Sequence, residues 1–91
     1  MLDKRKFYID GKWVSPSKPN DLEVINPSTE EAFATISLGS KEDTNSAVSA
    51  AKKALVNWSE SSKEERINLL EKLLDIYKKR YSEMTEAISM E

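Results

Sequence analysis

The sequence predicts an α+β chain, with two β-hairpins over residues 7–38 and two amphipathic helices over 41–58 and 63–90. Three observations carry this. Turn signals between short β-forming runs are confined to the first part. From Ala47 onward, apolar residues recur at three- and four-residue steps. A serine stands where each helical pattern begins, Ser40 and Ser62. A chain of 91 residues with an apolar fraction of 38% makes at most one small unit. Such a unit is marginal, because its surface is large relative to its volume.

The first hairpin is written around Asp10-Gly11, with Phe7-Tyr8-Ile9 before it and Trp13-Val14 after it. An Asp-Gly pair between β-formers favours a type I′ turn, which needs positive φ at both central residues. That turn pairs Ile9 with Lys12 and Tyr8 with Trp13. Residues 15–21 read as loop, punctuated by Pro16 and Pro19. Leu22 to Ile25 is a short strand and Asn26-Pro27-Ser28-Thr29 a turn, since proline fixes φ and asparagine before it favours turn initiation. Ala32 to Leu38 is the next strand, with Ala32, Ala34, Ile36 and Leu38 on one face. Phe33 spoils the alternation, so this strand is expected to be covered on both sides. Gly39 ends it.

Ser40 and Asp43 form a capping box with Asp in place of the usual Glu. Ala47, Val48, Ala51, Ala54, Leu55 and Trp58 then mark one face of a helix, whose alanines suit close approach to a neighbour. Residues 59–62 break it. Ser62 and Glu65 read as a second, better capping box. Beyond it Ile67, Leu70, Leu74, Tyr77, Tyr81, Met84 and Ile88 follow helical spacing, widened by Leu69, Leu73 and Ile76. A stripe that broad predicts a core-facing helix rather than a coiled-coil seam, with an interruption near Arg80-Tyr81-Ser82. No Gly or Asn cap and no proline follows Ile88. A frayed terminus or a truncated longer chain would both look like this.

Composition excludes more than it assigns. There is no cysteine and no histidine. These residues therefore hold no thiol nucleophile, no histidine relay, no disulfide and no Cys/His zinc site. Two glycines cannot write the three-glycine dinucleotide loop, nor the P-loop. The net charge of −2 argues against a nucleic-acid partner. No uncharged run is long enough to span a bilayer and no apolar stretch follows the first residues, so a soluble, cytoplasmic chain is expected. The triplet Lys4-Arg5-Lys6 reads as a solvated terminus, phosphate contact being its other use.

Catalytic, cofactor-binding and metal residues are predicted to be none. The carboxylate pairs Glu30-Glu31, Glu42-Asp43 and Glu64-Glu65 are sequence neighbours that do not converge, and the last two sit in first helical turns, where acids favour the helix dipole. The loop serines 15, 17, 59, 61 and 62 have no base. Lys52, Lys53, Lys78 and Lys79 lie off the apolar stripes, while Tyr77 and Tyr81 sit at packing positions. Arg66 breaks a local rule, a cation in the first turn of a helix. It should have a partner: a carboxylate or a backbone carbonyl.

In this order the parts resemble the N-terminal part of the aldehyde dehydrogenase family. Phe7-Tyr8-Ile9-Asp10-Gly11-Lys12-Trp13-Val14 is similar to the family's opening. Val24-Ile25-Asn26-Pro27-Ser28-Thr29-Glu30-Glu31 resembles its Asn-Pro-x-Thr-Gly-Glu turn, with Glu30 where glycine is common. Ala47 to Trp58, with Ala50-Ala51 inside, looks like its first long helix, and Ser62-Lys63-Glu64-Glu65-Arg66 with Leu70 like the start of its second. The resemblance covers Phe7 to Glu91. It implies a larger NAD- or NADP-dependent enzyme, a homo-oligomer, in which a cysteine attacks an aldehyde, hydride passes to the nicotinamide and a glutamate activates water. None of those positions maps onto these residues, so no cofactor binding is implied for them. Their implied partner is the remainder of the chain, whose α/β sheet the two helices would cover. In some relatives the carbonyl before the Asn-Pro turn, here that of Ile25, helps hold a monovalent cation. The competing expectation is a free-standing interaction module that uses the apolar helical face.

Overall fold

The computed structural model describes every residue, Met1–Glu91. Its strands are β1 (Leu2–Lys4), β2 (Phe7–Ile9), β3 (Lys12–Val14), β4 (Asp21–Asn26) and β5 (Glu31–Ser37). Its helices are α1 (Lys41–Trp58), α2 (Lys63–Lys79) and α3 (Tyr81–Met90). The fold class is α+β, and both hairpins form. β2 and β3 pair as a separate two-stranded sheet, and β4 pairs antiparallel with β5.

The first hairpin follows from its turn. Asp10 has φ 54° and Gly11 φ 73°, the left-handed values of a type I′ turn. The register is Ile9 to Lys12, Tyr8 to Trp13 and Phe7 to Val14. The Tyr8 and Trp13 rings meet edge to face, with centroids 5.2 Å apart. Aromatic cross-strand pairs of this kind add roughly 0.2–1 kcal/mol.

β1 is an element the sequence does not announce. It lies parallel to β5, Leu2 beside Ala34 and Lys4 beside Ile36, giving a sheet of order β1-β5-β4. Three residues, all exposed, carry no periodicity of their own. Their conformation is set by the free edge of β5, some thirty positions away. In the second hairpin the ladder steps from Val24–Ala34 to Ile25–Ala32, so Phe33 has no partner across it. That bulge is the physical reason the alternation fails at Phe33. At the turn, Glu30 has φ 61°. Its N–H donates to the Asn26 carbonyl at 2.8 Å. The position that favours glycine is therefore filled here by a residue with a Cβ.

The helices differ from expectation in two ways, at the caps and in burial. Within the stretch where the sequence predicts an interruption, Arg80, at φ −106° and ψ 16°, leaves helical geometry and separates α2 from α3. The Arg80 guanidinium clasps Glu83, Nε to Oε2 at 2.8 Å, and the Tyr77 and Tyr81 rings meet edge to face across the break. The better capping box proves to be the first one. At α1, Ser40 and Asp43 satisfy each other's backbone N–H groups. At α2, Ser62 accepts from the Glu65 N–H at 3.1 Å, without a return bond from the Glu65 carboxylate. Finally, no residue of any helix is buried.

Only two of the 91 residues are buried, Ala34 and Ser37, both on the central strand β5. Ser37 anchors the loop before β4: the Asn20 N–H donates to its hydroxyl, and the Leu38 N–H donates to the Asn20 carbonyl at 2.8 Å. The radius of gyration is 16.8 Å, against about 12 Å for a compact domain of this length. The chain is a slab, 48 × 34 × 15 Å.

Candidate functional site

The charged side chains with defined partners in this chain bind one another or nearby backbone. The tightest cluster joins the 15–20 loop to α1. Asp43, at the third position of α1, accepts from the Ser40 N–H through Oδ2 and from the Ser17 N–H through Oδ1, both at 3.0 Å. The Ser17 and Ser40 hydroxyls lie 2.7 Å apart. The two N–H groups, that of Ser40 first, hold the Asp43 carboxyl below its usual range. This carboxylate is a tether with its oxygens engaged. The capping pattern revealed the Ser40–Asp43 part. Ser17 has no local signal, since its contact spans 26 positions.

Of the basic triplet, Arg5 is likewise engaged. Arg5 grips Asp3 through two bonds, Nε to Oδ1 at 2.9 Å and Nη2 to Oδ2 at 2.8 Å, and reaches Asp21 through Nη1 at 3.3 Å. It thereby ties the end of β1 to the start of β4. The Arg5 side chain, then its backbone N–H, lowers the Asp3 pKa to about 2. Asp3 and then Asp21 push the guanidinium further above its already high value. Arg66 has the backbone partner expected of it, Nη1 donating to the Ser61 carbonyl at 2.7 Å. This satisfies a carbonyl in the break between α1 and α2.

The carboxylate pairs do not converge, and no group of three or more His, Cys, Asp or Glu is placed to hold a metal ion. Ile25 of β4 lies opposite the β5 bulge at Phe33, paired with Ala32. The residues present do not fit a dinucleotide. Gly39 stands alone at the end of β5 with only ordinary contact to the Phe7 ring, 3.8 Å from where a Cβ would stand, and no second glycine joins it in a phosphate loop. Gly11 stands at a hairpin tip. The N-terminus of α1 is already capped and carries Glu42 and Asp43 in its first turn, which opposes an anion there.

What remains is a surface. Leu69, Leu70, Leu73, Leu74 and Ile76 of α2 are each 50–63% exposed. On α1, Leu55 is 57% and Val56 68% exposed. The α1 stripe does not face the hairpin. The small, polar edge of α1, with Asp43, Ser46, Ser49 and Ala50, does so across an open groove that Ile9 and Val14 also line. Contiguous apolar surface of this extent marks an interaction face. The fold and its open apolar helix face are those of a structural segment of a larger folded unit.

Comparison with known proteins shows which unit. The aldehyde dehydrogenase family pattern matches residues 13–91. A 3-succinoylsemialdehyde-pyridine dehydrogenase of a Pseudomonas species is 44% identical over 100% of this chain. A putative aldehyde dehydrogenase of Staphylococcus epidermidis is 43% identical, also over 100% of it. The chain spans 19% of the length of each. Among solved structures, an aldehyde dehydrogenase from Bartonella henselae is 58% identical with a TM-score of 0.98, over 99% of this chain and 19% of its own. A cysteine-to-alanine mutant of aldehyde dehydrogenase C from Pseudomonas syringae, in complex with NAD+ and octanal, is 40% identical with a TM-score of 0.92, over 94% of this chain and 18% of its own. The chain belongs to the aldehyde dehydrogenase family and is an N-terminal segment of such a protein.

Proposed function

We propose that the complete protein oxidises an aldehyde to a carboxylic acid with NAD or NADP, and that the present residues complete its cofactor domain without taking part in the chemistry. One observation carries this: the apolar face of α1 and α2 is open to water in a backbone that follows a much longer aldehyde dehydrogenase at a TM-score of 0.98. A helix face of leucines is stable when covered, and the partner that fits is the rest of the same chain. The NAD+ complex of the Pseudomonas syringae relative supports the cofactor class. When bound, the nicotinamide would accept the hydride; no residue here fits it. A cytoplasmic homo-oligomer completes the reading, which fractionation and light scattering test. No helix of this chain is long and apolar enough to cross a membrane.

The direct test compares two proteins. The complete chain should reduce NAD+ or NADP+ when given an aliphatic aldehyde, followed by nicotinamide absorbance. The 91-residue segment should show neither turnover nor calorimetric NAD+ binding. Turnover by the segment alone, or a complete chain that leaves aldehydes untouched, overturns the proposal.

A further inference from the structure

The tip of the first hairpin carries a reactivity that a structural role does not use. Asp10 is followed by Gly11, the one residue type without a Cβ to shield its own amide nitrogen. Nothing lies within 4 Å of where a Gly11 Cβ would stand. The Gly11 N–H lies outside the strands and makes none of the turn, loop or side-chain hydrogen bonds of the chain. Asp10 itself is exposed. The four other aspartates differ in each respect. Lys4, Leu22, Thr44 and Ile76 follow them, all with a Cβ and all within strands or helices. Asp3 and Asp43 are also held by Arg5 and by two N–H groups.

The hairpin is short and held from one side only, by α1 against β2. β2 and β3 have three residues each and no third strand beside them. An isolated two-stranded hairpin is marginally stable at best in water. Its openings release Asp10 from φ 54° and let its carboxyl swing over the next nitrogen.

The geometry points to Asp10-Gly11 as a site of spontaneous aspartate isomerisation through a cyclic imide. The Gly11 nitrogen forms a bond to Cγ of the neutral Asp10 carboxyl, and a Cγ–O bond breaks. That oxygen departs as water with its own proton and the amide proton. Water then adds to one of the two ring carbonyls, the bond from that carbon to the Gly11 nitrogen breaks, and the nitrogen takes one proton of the water. Addition at Cγ restores aspartate. Addition at the main-chain carbonyl carbon gives isoaspartate, with the backbone rerouted through Cγ. The water lost is the water regained, and no oxidant, reductant or cofactor enters. The product puts an extra carbon into the turn. A two-residue type I′ turn cannot absorb it, so the Ile9–Lys12 and Tyr8–Trp13 pairings loosen. It also presents a free α-carboxylate, the group that isoaspartate-specific carboxyl methyltransferases modify.

The test ages the complete chain in neutral buffer and digests it with trypsin. Cleavage after Lys6 and Lys12 yields the peptide Phe7–Lys12, whose aspartyl and isoaspartyl forms separate by chromatography at equal mass. Isoaspartate should accumulate at Asp10 about tenfold faster than at Asp3, Asp21, Asp43 or Asp75, following the unhindered glycine nitrogen. An isoaspartate-specific carboxyl methyltransferase should label the same peptide. The Asp10→Asn variant keeps a residue that type I′ turns favour and closes the same ring with ammonia as the leaving group. It should show the mass gain of amide loss in this peptide, with isoaspartate the major product. Equal rates at all five aspartates, or an Asp10→Asn variant that keeps its amide, overturns the assignment.

Discussion

Cutting this segment from the rest of its chain should abolish cooperative folding, and the size of the effect follows from its surface. The segment exposes 7869 Å². A folded protein of 10.3 kDa exposes roughly 5,400 Å², so about 2,500 Å² is in excess. Slightly more than half of a protein surface is apolar. At about 25 cal/mol per Å², the uncovered part forgoes on the order of 35 kcal/mol of burial. Whole-domain stabilities are about 5–15 kcal/mol, so the shortfall exceeds what such a fold can carry. The isolated 91 residues should therefore show helical far-ultraviolet circular dichroism with little near-ultraviolet signal, bind a hydrophobic dye, and melt in urea without a sharp transition. Addition of the separately produced remainder of the chain should restore the near-ultraviolet signal and displace the dye. A monomeric segment that unfolds in one sharp transition, binds no dye and ignores the remainder would refute the reasoning.

Three further predictions concern the complete chain. Glu30→Gly removes a Cβ from a residue at φ 61°. The left-handed penalty is about 1–2 kcal/mol and the entropy of an added glycine returns part of it, so a gain of about 0.5–1 kcal/mol is expected. Slower amide exchange across β4 and β5 would show it, and faster exchange would contradict it. Ser40→Ala removes the acceptor for the Asp43 N–H and the hydroxyl partner of Ser17. It should cost about 1 kcal/mol, read as faster amide exchange in the first turn of α1, with residues past Ala50 unchanged. The Asp3–Arg5 pair makes β1 sensitive to acid. The Asp3 pKa is depressed from 3.8 to about 2, so its contribution is complete above the unfolded value and fades as pH falls from about 4 to about 2. Carboxyl carbon shifts of Asp3 in the folded complete chain should titrate with a midpoint near the depressed value of about 2 rather than near 3.8. The Asp3→Asn variant should hold β1 less firmly at pH 7, and a β1 unchanged by it would remove the pair from the account.

The depth to which the sequence could be read follows the range of each interaction. Asp10-Gly11 specified its turn and the Tyr8–Trp13 register because a type I′ turn is decided within four residues. Ser40 with Asp43 specified the start of α1 because a capping box closes within four residues. The alternation marked β5, and its lapse at Phe33 marked a bulge whose existence only the pairing with β4 reveals. The Asp3–Arg5–Asp21 clasp, the Ser17 tether and the buried Ser37 hydroxyl had no such signal. Each depends on residues brought together from 16 to 26 positions apart, or on a strand edge that exists only once the sheet has formed.

The sequence by itself therefore determined the hairpins, the caps and the broad apolar stripes, together with the absence of cysteine, histidine and a glycine loop from these residues. Those features are local, fixed by φ preference, short-range hydrogen bonds and side-chain periodicity. Tertiary structure alone decided that β1 joins β5 in parallel. It also decided that the small polar edge of α1 faces the hairpin while the leucines of α2 face water. A periodic stripe states that a helix has a side to cover; which neighbour covers it is a matter of three-dimensional packing, and within these 91 residues the leucines of α2 stay exposed.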